Sequence, residues 1–336
     1  MKNVLYIGNK LNSKRSNVSS ISVLGPMLED EGFKLRYASS YPNKIKRMLD
    51  MLWTCFKYRK QTDVVIIDTY STQNFYYALL VSQFCRLLDL KYVTSLNGGN
   101  LPMRLKKNPI LCRTIFNHAY KLVSPSTYLK EAFESYGYQN VYYIPNSLEM
   151  EQYVFHSKAF QKVELLWVRS FSAIYNPLLA VKVLKKLKDD GLQASLCMMG
   201  PDADGSLEAV KQLANDLDVS VRFTGKLPKK DWLALAKDYN MFINTTNFDN
   251  MPVSVIEAMA LGLPVVSTNV GGLPYLLKHE KDALLVPPDN AEAFVVAIKQ
   301  LLNNPLATRT MAFNARQKVE QFDWNLVKHQ WIKLLS

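Results

Sequence analysis

Two carboxylates, Asp249 and Glu257, stand eight positions apart in the stretch NFDNMPVSVIEAMALGLPVVSTNVGG. Eight residues make a little over two helical turns. A Glu257 on a helix that starts near Pro252 can therefore project from the side on which Asp249 approaches out of the preceding loop. Two acceptors facing one side suit hydroxyl groups. The amides of a first helical turn, unpartnered and at the positive end of the macrodipole, suit phosphate. A sugar joined to a diphosphate offers both chemistries. The competing reading makes Asp249 a plain helix cap and Glu257 a solvated helix residue.

These residues need elements to hold them. The stretch from Tyr239 to Leu277 reads as a buried strand over 241–244, a polar loop, the helix from Pro252, a second buried strand over 264–267 and a turn at Gly271 and Gly272. Further apolar runs predict strands over 4–7, 64–67, 92–96, 121–124 and 141–144, with helical periodicity between them. The pattern restarts at 163–168 and continues with a strand over 194–199 that ends in the turn GPDADG. Strands alternating with helices imply parallel, doubly wound sheets, whose ligands sit at the carboxyl ends of the strands. The loops 8–17, 68–74 and 97–104 are then expected to face a cleft. The run HEKDALLVPPDNAEAFVVAIKQLL fits a short strand, a Pro-Pro turn and a closing helix, and the tail FDWNLVKHQWIKLLS is amphipathic and aromatic.

Composition sets the frame. A chain of 336 residues exceeds one typical core and implies two domains, and 48% hydrophobic with 21% charged residues is an ordinary globular balance. The four cysteines, Cys55, Cys85, Cys112 and Cys197, have no metal-ligand spacing and read as reduced structural thiols. The opening MKNVLYIGNK is too short an apolar run for a signal peptide, and nothing approaches the ~18–20 apolar residues of a membrane span. Forty-one Lys and Arg against 29 Asp and Glu leave a net charge of +12, which favours an anionic partner. Nucleic acid is set aside, because the basic residues are scattered and form no recognised module. One basic segment stands out. Residues 44–60, KIKRMLDMLWTCFKYRK, carry Ile45, Met48, Leu49, Leu52 and Phe56 at helical spacing, widened by Met51 and Trp53 and flanked by lysines and arginines. The apolar stripe is expected to pack on the sheet, leaving a basic exposed edge for an anionic membrane surface.

The stretch NFDNMPVSVIEAMALGLPVVSTNVGGLPYLL resembles the nucleotide-sugar segment of the retaining family 4 glycosyltransferases, also called glycosyl transferases group 1, whose hallmark is two acidic residues separated by seven. Asp249 takes the place of the family's usual Glu. The resemblance extends, more weakly, through VSPSTYLKEAFESYGYQNVYYIPNSLEMEQY and along most of the chain. It implies that Arg169 grips the donor diphosphate as a guanidinium with paired hydrogen bonds. It also implies that Asp249 holds sugar hydroxyls, that Glu257 holds the ribose, and that Leu227 reads the base through its backbone. Asn250, Met251, Val253 and Ser254 complete the donor contacts. The family lysine six positions after the arginine is Tyr175 here, and its Gly-Gly loop is Arg15 and Ser16, with Lys14 and Arg15 as replacement charge. Asn97 stands where the family carries a histidine; with Gly98 and Lys226 it is a candidate phosphate or acceptor contact.

The implied fold is α/β of the GT-B type, two facing Rossmann-like domains with a cleft between them. Residues 1–155 with a C-terminal helix over 322–336 form the acceptor side, and 156–321 bind the nucleotide sugar. The implied activity is retaining transfer, of hexosyltransferase type, from a nucleotide-diphosphate sugar, UDP ahead of GDP, to a hydroxyl of a glycan or lipid-linked acceptor in bacterial surface polysaccharide synthesis. Arg169, Asp249 and Glu257 are the catalytic set. No cofactor and no metal are expected, and the location is cytoplasmic, peripheral on the inner face of the membrane. A non-catalytic binding subunit of the same fold and a nucleotide-sugar epimerase remain the alternatives.

Overall fold

The computed structural model describes residues 2–11 and 19–336. Its chain clusters into two compact units. One comprises residues 2–11, 19–146 and 325–336, and the other comprises Ser147–Trp324.

The first unit is a six-stranded parallel sheet in the order β2-β1-β3-β4-β5-β6. Its strands are β1 (Asn3–Ile7), β2 (Lys34–Ala38), β3 (Val64–Thr69), β4 (Tyr92–Leu96), β5 (Lys121–Ser124) and β6 (Val141–Tyr143). Strands β3 and β4 are buried from end to end, as sheets covered on both faces require. Leu5, Ile7, Val65, Ile67, Phe75 and Leu96 form the centre of the core. The strand order changes sense between β1 and β3 while every strand stays parallel, and the carboxyl ends there are the natural ligand edge.

The helix Lys44–Tyr58 forms as the periodicity predicts, capped by Asn43, whose side chain accepts from the Ile45 and Lys46 amides at 3.0 Å each. Its orientation corrects the expectation of an inward apolar stripe. Arg47, Met51, Thr54 and Cys55 face the interior, while Ile45, Leu49, Trp53 and Phe56 are exposed. The cause is the seat Arg47 finds inside. Its guanidinium donates to the Tyr41 and Pro42 carbonyls at 2.8 Å and to Asn9 Oδ1 at 3.1 Å. A buried charge satisfied this way anchors the helix face that carries it.

The second unit repeats the plan in the order β12-β11-β10-β7-β8-β9. These are β7 (Val163–Val168), β8 (Ala194–Met199), β9 (Arg222–Gly225), β10 (Met241–Asn244), β11 (Val265–Thr268) and β12 (Leu284–Val286). Here the order reverses between β7 and β10, so the loops that leave those two strands flank the switch point. Arg169 follows β7 directly and Asp249 lies in the loop after β10. The helix Val253–Ala260 packs behind them, buried at every position after Val253. All four cysteines are buried and unpaired. Among the described residues no helix is long and apolar enough to cross a membrane.

Candidate functional site

Arg169 extends the β7–β8 pairing by one residue, its amide donating to the Met199 carbonyl at 3.0 Å. That fixes the backbone while the side chain turns into the loop layer, where the guanidinium forms an ion pair with Asp249. Both side chains are about 15% exposed, Arg169 at 14% and Asp249 at 16%, so the pair is shielded yet reachable. The ring of Tyr175 lies 4.3 Å from Arg169 Cζ. Burial pulls the Arg169 guanidinium below its ordinary value, and its hydrogen bond with Tyr175 opposes that shift. Arg169 Nε is buried with no hydrogen-bond partner. A guanidinium remains charged in such a place, and the open Nε–H is a donor in reserve.

Tyr175 is held there by the loop after β10. Thr245 Oγ1 lies 2.9 Å from the Tyr175 and Asn176 carbonyls, and the Asn247 amide donates to the Ile174 carbonyl at 2.8 Å. The indole of the fully buried Trp167 donates to Thr245 Oγ1 at 2.9 Å. Strand, turn and loop therefore move as one piece.

The reading of Asp249 as a helix cap is overturned. Its Oδ1 accepts from the adjacent Asn250 amide at 2.8 Å, and the helix begins at an N-cap Pro252 with no side-chain cap. The first-turn amides of Val253 and Ser254 consequently have no partner within the helix. Val253 is 40% exposed, Asn250 and Met251 are buried, and the buried Ser254 hydroxyl has no hydrogen-bond partner. Gly271 and Gly272 brace this loop from behind. A Cβ at Gly271 would stand 2.2 Å from the Asp249 carbonyl oxygen, and one at Gly272 would stand 2.1 Å from that of Asn250. The two glycines abut the Asp249 backbone, and only residues without a side chain fit.

The reading of Glu257 as a solvated helix residue also fails, because it is 8% exposed. Its Oε1 accepts from the Tyr153 hydroxyl at 2.8 Å and forms an ion pair with Lys229, whose ammonium also stands 4.6 Å from the Tyr153 ring centroid. Burial, with the Glu257 charge second, pushes the Tyr153 phenol far up. Neither Tyr153 nor Lys229 was singled out from sequence. The signal for Lys229 was its place at the start of the helix after β9, two positions past Leu227, which packs partly buried on the unit's core.

Of the remaining candidates, Asn97 and Gly98 lie in the first unit, Lys226 and Leu227 in the second, and Arg15 and Ser16 outside the described residues. Asn97 Nδ2 donates to Asp68 Oδ1 at 2.8 Å, and the Tyr6 hydroxyl donates to the same oxygen at 3.1 Å. Gly98 passes so close to the next loop that a Cβ would lie 2.4 Å from the Ser71 nitrogen. Asp68 itself, absent from the candidates read in sequence, is 5% exposed, and its Oδ2 has no hydrogen-bond partner. Burial pushes its carboxyl up to about 7, against the bonds from Tyr6, Ile21 and Asn97 that lower it. Arg15 and Ser16, with Lys14, lie outside the described residues. Lys226 sits directly after β9.

The chemistry of the second unit is thus two carboxylates, each held by a cation, beside an uncapped helix N-terminus. The profile of the family described as Glycosyl transferases group 1 matches residues 151–318, half of the chain and all of that cluster. The chain belongs to this family. Two relatives are named for the biosynthesis of amylovoran and of colanic acid. The amylovoran biosynthesis glycosyltransferase AmsK of Erwinia amylovora is 27% identical over 167 residues, which are 47% of this chain and 40% of AmsK. The putative colanic acid biosynthesis glycosyltransferase WcaL of Escherichia coli is 28% identical over 169 residues, 47% of this chain and 41% of WcaL. The matches thus span about two fifths of each relative's length. Solved structures match over the whole chain. The sucrose-phosphate synthase of Thermosynechococcus elongatus superposes with a TM-score of 0.82 at 16% identity, covering 99% of this chain and 98% of that one. Anabaena HepE, solved in complex with UDP-glucose, gives 0.80 at 16% identity, covering 100% and 99%. The group 1 chain therefore has the GT-B type of fold.

Proposed function

We propose that this chain is a retaining glycosyltransferase that moves a sugar from a nucleoside-diphosphate sugar to a hydroxyl of a glycan or lipid-linked acceptor. The observation that carries the reading is the Arg169–Asp249 pair beside the uncapped N-terminus of the 253–260 helix. A donor diphosphate brings negative charge to that N-terminus and to Arg169, whose guanidinium turns from Asp249 to phosphate oxygens. Asp249, released, accepts from sugar hydroxyls. The ribose hydroxyls take the place of Lys229 on Glu257.

As the bond between the anomeric carbon and the leaving phosphate oxygen breaks, charge builds on the diphosphate. Arg169 and the amides of Val253 and Ser254 are preorganised for that charge, an arrangement worth about 10²–10³ in rate per donor. The acceptor hydroxyl attacks on the face the phosphate leaves, its proton passes to the departing phosphate oxygen, and the configuration is kept. No step uses a protein base, which agrees with Asn97 at the position where the family carries a histidine.

UDP is put ahead of GDP, a choice supported by the UDP-glucose bound to the HepE structure. A role in bacterial surface polysaccharide synthesis is supported by the names of AmsK and WcaL. We place the enzyme in the cytoplasm, peripheral on the inner face of the membrane, where lipid-linked acceptors are available. The rival reading is a non-catalytic subunit, which Tyr175 in place of the family lysine favours. Thermal stabilisation by a panel of UDP, GDP, ADP and their common sugars, in wild type and Glu257→Ala, tests the donor site. A shift for one nucleotide that the variant loses supports the site and names the base, whereas no shift with any of them removes it.

A further inference from the structure

The Lys44–Tyr58 helix turns outward the side chains that an amphipathic helix ordinarily buries. Ile45 is 72% exposed, Leu49 60%, Trp53 61% and Phe56 41%. Spacings of four, four and three place them in one stripe. Neighbouring helices of the same unit expose apolar side chains too. The helix Asn74–Leu87 packs against this one and exposes Tyr76, Leu80 and Leu87; the helix Pro109–Phe116 packs against that helix in turn and exposes Ile110. All three belong to the first unit.

Charge on this face has one sign. Lys46, Lys57 and Lys60 are exposed at the border of the stripe, with Arg86 and Arg113 exposed on the neighbouring helices. Asp50, half-buried, is the only acidic residue on the three helices. The Trp53 and Phe56 rings lie 5.9 Å apart, and the Arg59 guanidinium stands 4.1 Å over Phe56, so a cation rides on the rim of an aromatic pair.

We propose that this three-helix face docks on an anionic lipid bilayer. Ile45, Leu49, Trp53 and Phe56 would seat at the boundary between headgroups and acyl chains, with Lys46, Lys57 and Lys60 on lipid phosphates. Charge complementarity selects this occupant. A second copy of the chain would bring the same cations against one another, and a nucleic acid would leave the apolar stripe without a partner. The docking extends the lipid-linked acceptor reading, but it is measured without any sugar transfer, so either can fail alone.

The test is co-sedimentation of the full chain with vesicles of equal parts phosphatidylcholine and phosphatidylglycerol, against vesicles of phosphatidylcholine alone. Binding is expected to the anionic vesicles only, with a blue shift of tryptophan emission that Trp53→Phe abolishes. Each basic residue near the surface contributes about fivefold to partition, so the triple change Lys46→Gln, Lys57→Gln and Lys60→Gln should weaken it by roughly 100-fold. Ile45→Ser with Leu49→Ser should lose the emission shift while leaving nucleotide-induced thermal shifts intact, which confirms that the variant is folded. Equal binding to neutral vesicles, no binding to either, or variants that bind like wild type would overturn the proposal. So would a concentration-dependent dimer that the Ile45→Ser and Leu49→Ser pair abolishes, since that assigns the face to a second copy.

Discussion

The ring of Tyr175 lies on the Arg169 guanidinium, 4.3 Å from its Cζ, while that guanidinium pairs with Asp249. Where relatives with this motif are expected to hold a second cation, this chain has an aromatic surface. The stacked ring sets the plane of the guanidinium, which decides whether two parallel N–H bonds can meet a phosphate. Tyr175→Ala should weaken donor affinity about three- to tenfold, the range of a partly buried cation–π contact. Calorimetric titration with the nucleotide that stabilises the protein reads the change, and an affinity equal to wild type would remove Tyr175 from the site.

Lys229 occupies the carboxylate that the ribose is proposed to use. The Lys229 side chain is 41% exposed, so the pair is worth at most about 1 kcal/mol. Lys229→Met should therefore tighten nucleotide binding by up to about fivefold, by removing the competing charge while keeping an unbranched side chain of similar length. Weaker binding in the same titration would show that the lysine contacts the ligand itself.

Asp68 predicts a pH dependence of stability. Its ordinary value is 3.8 and burial raises it to about 7, so the folded chain holds this proton more tightly than the unfolded chain. The associated stability is fully present below about pH 4 and is lost as the pH rises to about 7. The groups that face the carboxyl are Tyr6, Tyr70, Asn97 and the Ile21 amide. Asp68→Asn should flatten the decline in stability between pH 5 and pH 8 relative to wild type, a difference on the order of one to a few kcal/mol at pH 8. Parallel melting curves against pH for the two proteins would contradict this.

Gly271 and Gly272 leave no room for a methyl group beside Asp249 and Asn250. Gly271→Ala also forces an L-residue into φ +55, so the Asp249 loop must move. The variant should lose roughly 1–3 kcal/mol of stability, together with the nucleotide-induced thermal shift. A variant that melts and binds like wild type would show that the loop does not depend on this brace.

Much of the fold was legible because parallel strands buried on both faces read as unbroken apolar runs. The strands over 163–168, 194–199 and 241–244 stand where the runs placed them. Strand β2 was not read, because KLRYA lies at a sheet edge and buries only Ala38. Strand β3 runs two residues past its apolar run, since Asp68 and Thr69 are polar yet buried. The orientation of the 44–58 helix was beyond a periodicity argument. Period shows that two faces differ, and the carbonyl cage around Arg47 decides which one turns inward. At the site, the spacing of Asp249 and Glu257 was local and readable. Arg169 was readable only through the family resemblance, and its pairing with Asp249 was not, since it follows another strand; Tyr153, 104 positions from Glu257, was not read at all.

The most direct measurement is release of the nucleoside diphosphate from the donor that binds, with water as acceptor, in wild type and in Arg169→Ala. Slow release by wild type and a loss of at least about 100-fold in the variant are predicted, since Arg169 acts on charge that forms only as the bond breaks. Tight donor binding with no release by wild type, or equal rates in the two proteins, would contradict a transferase that works through Arg169.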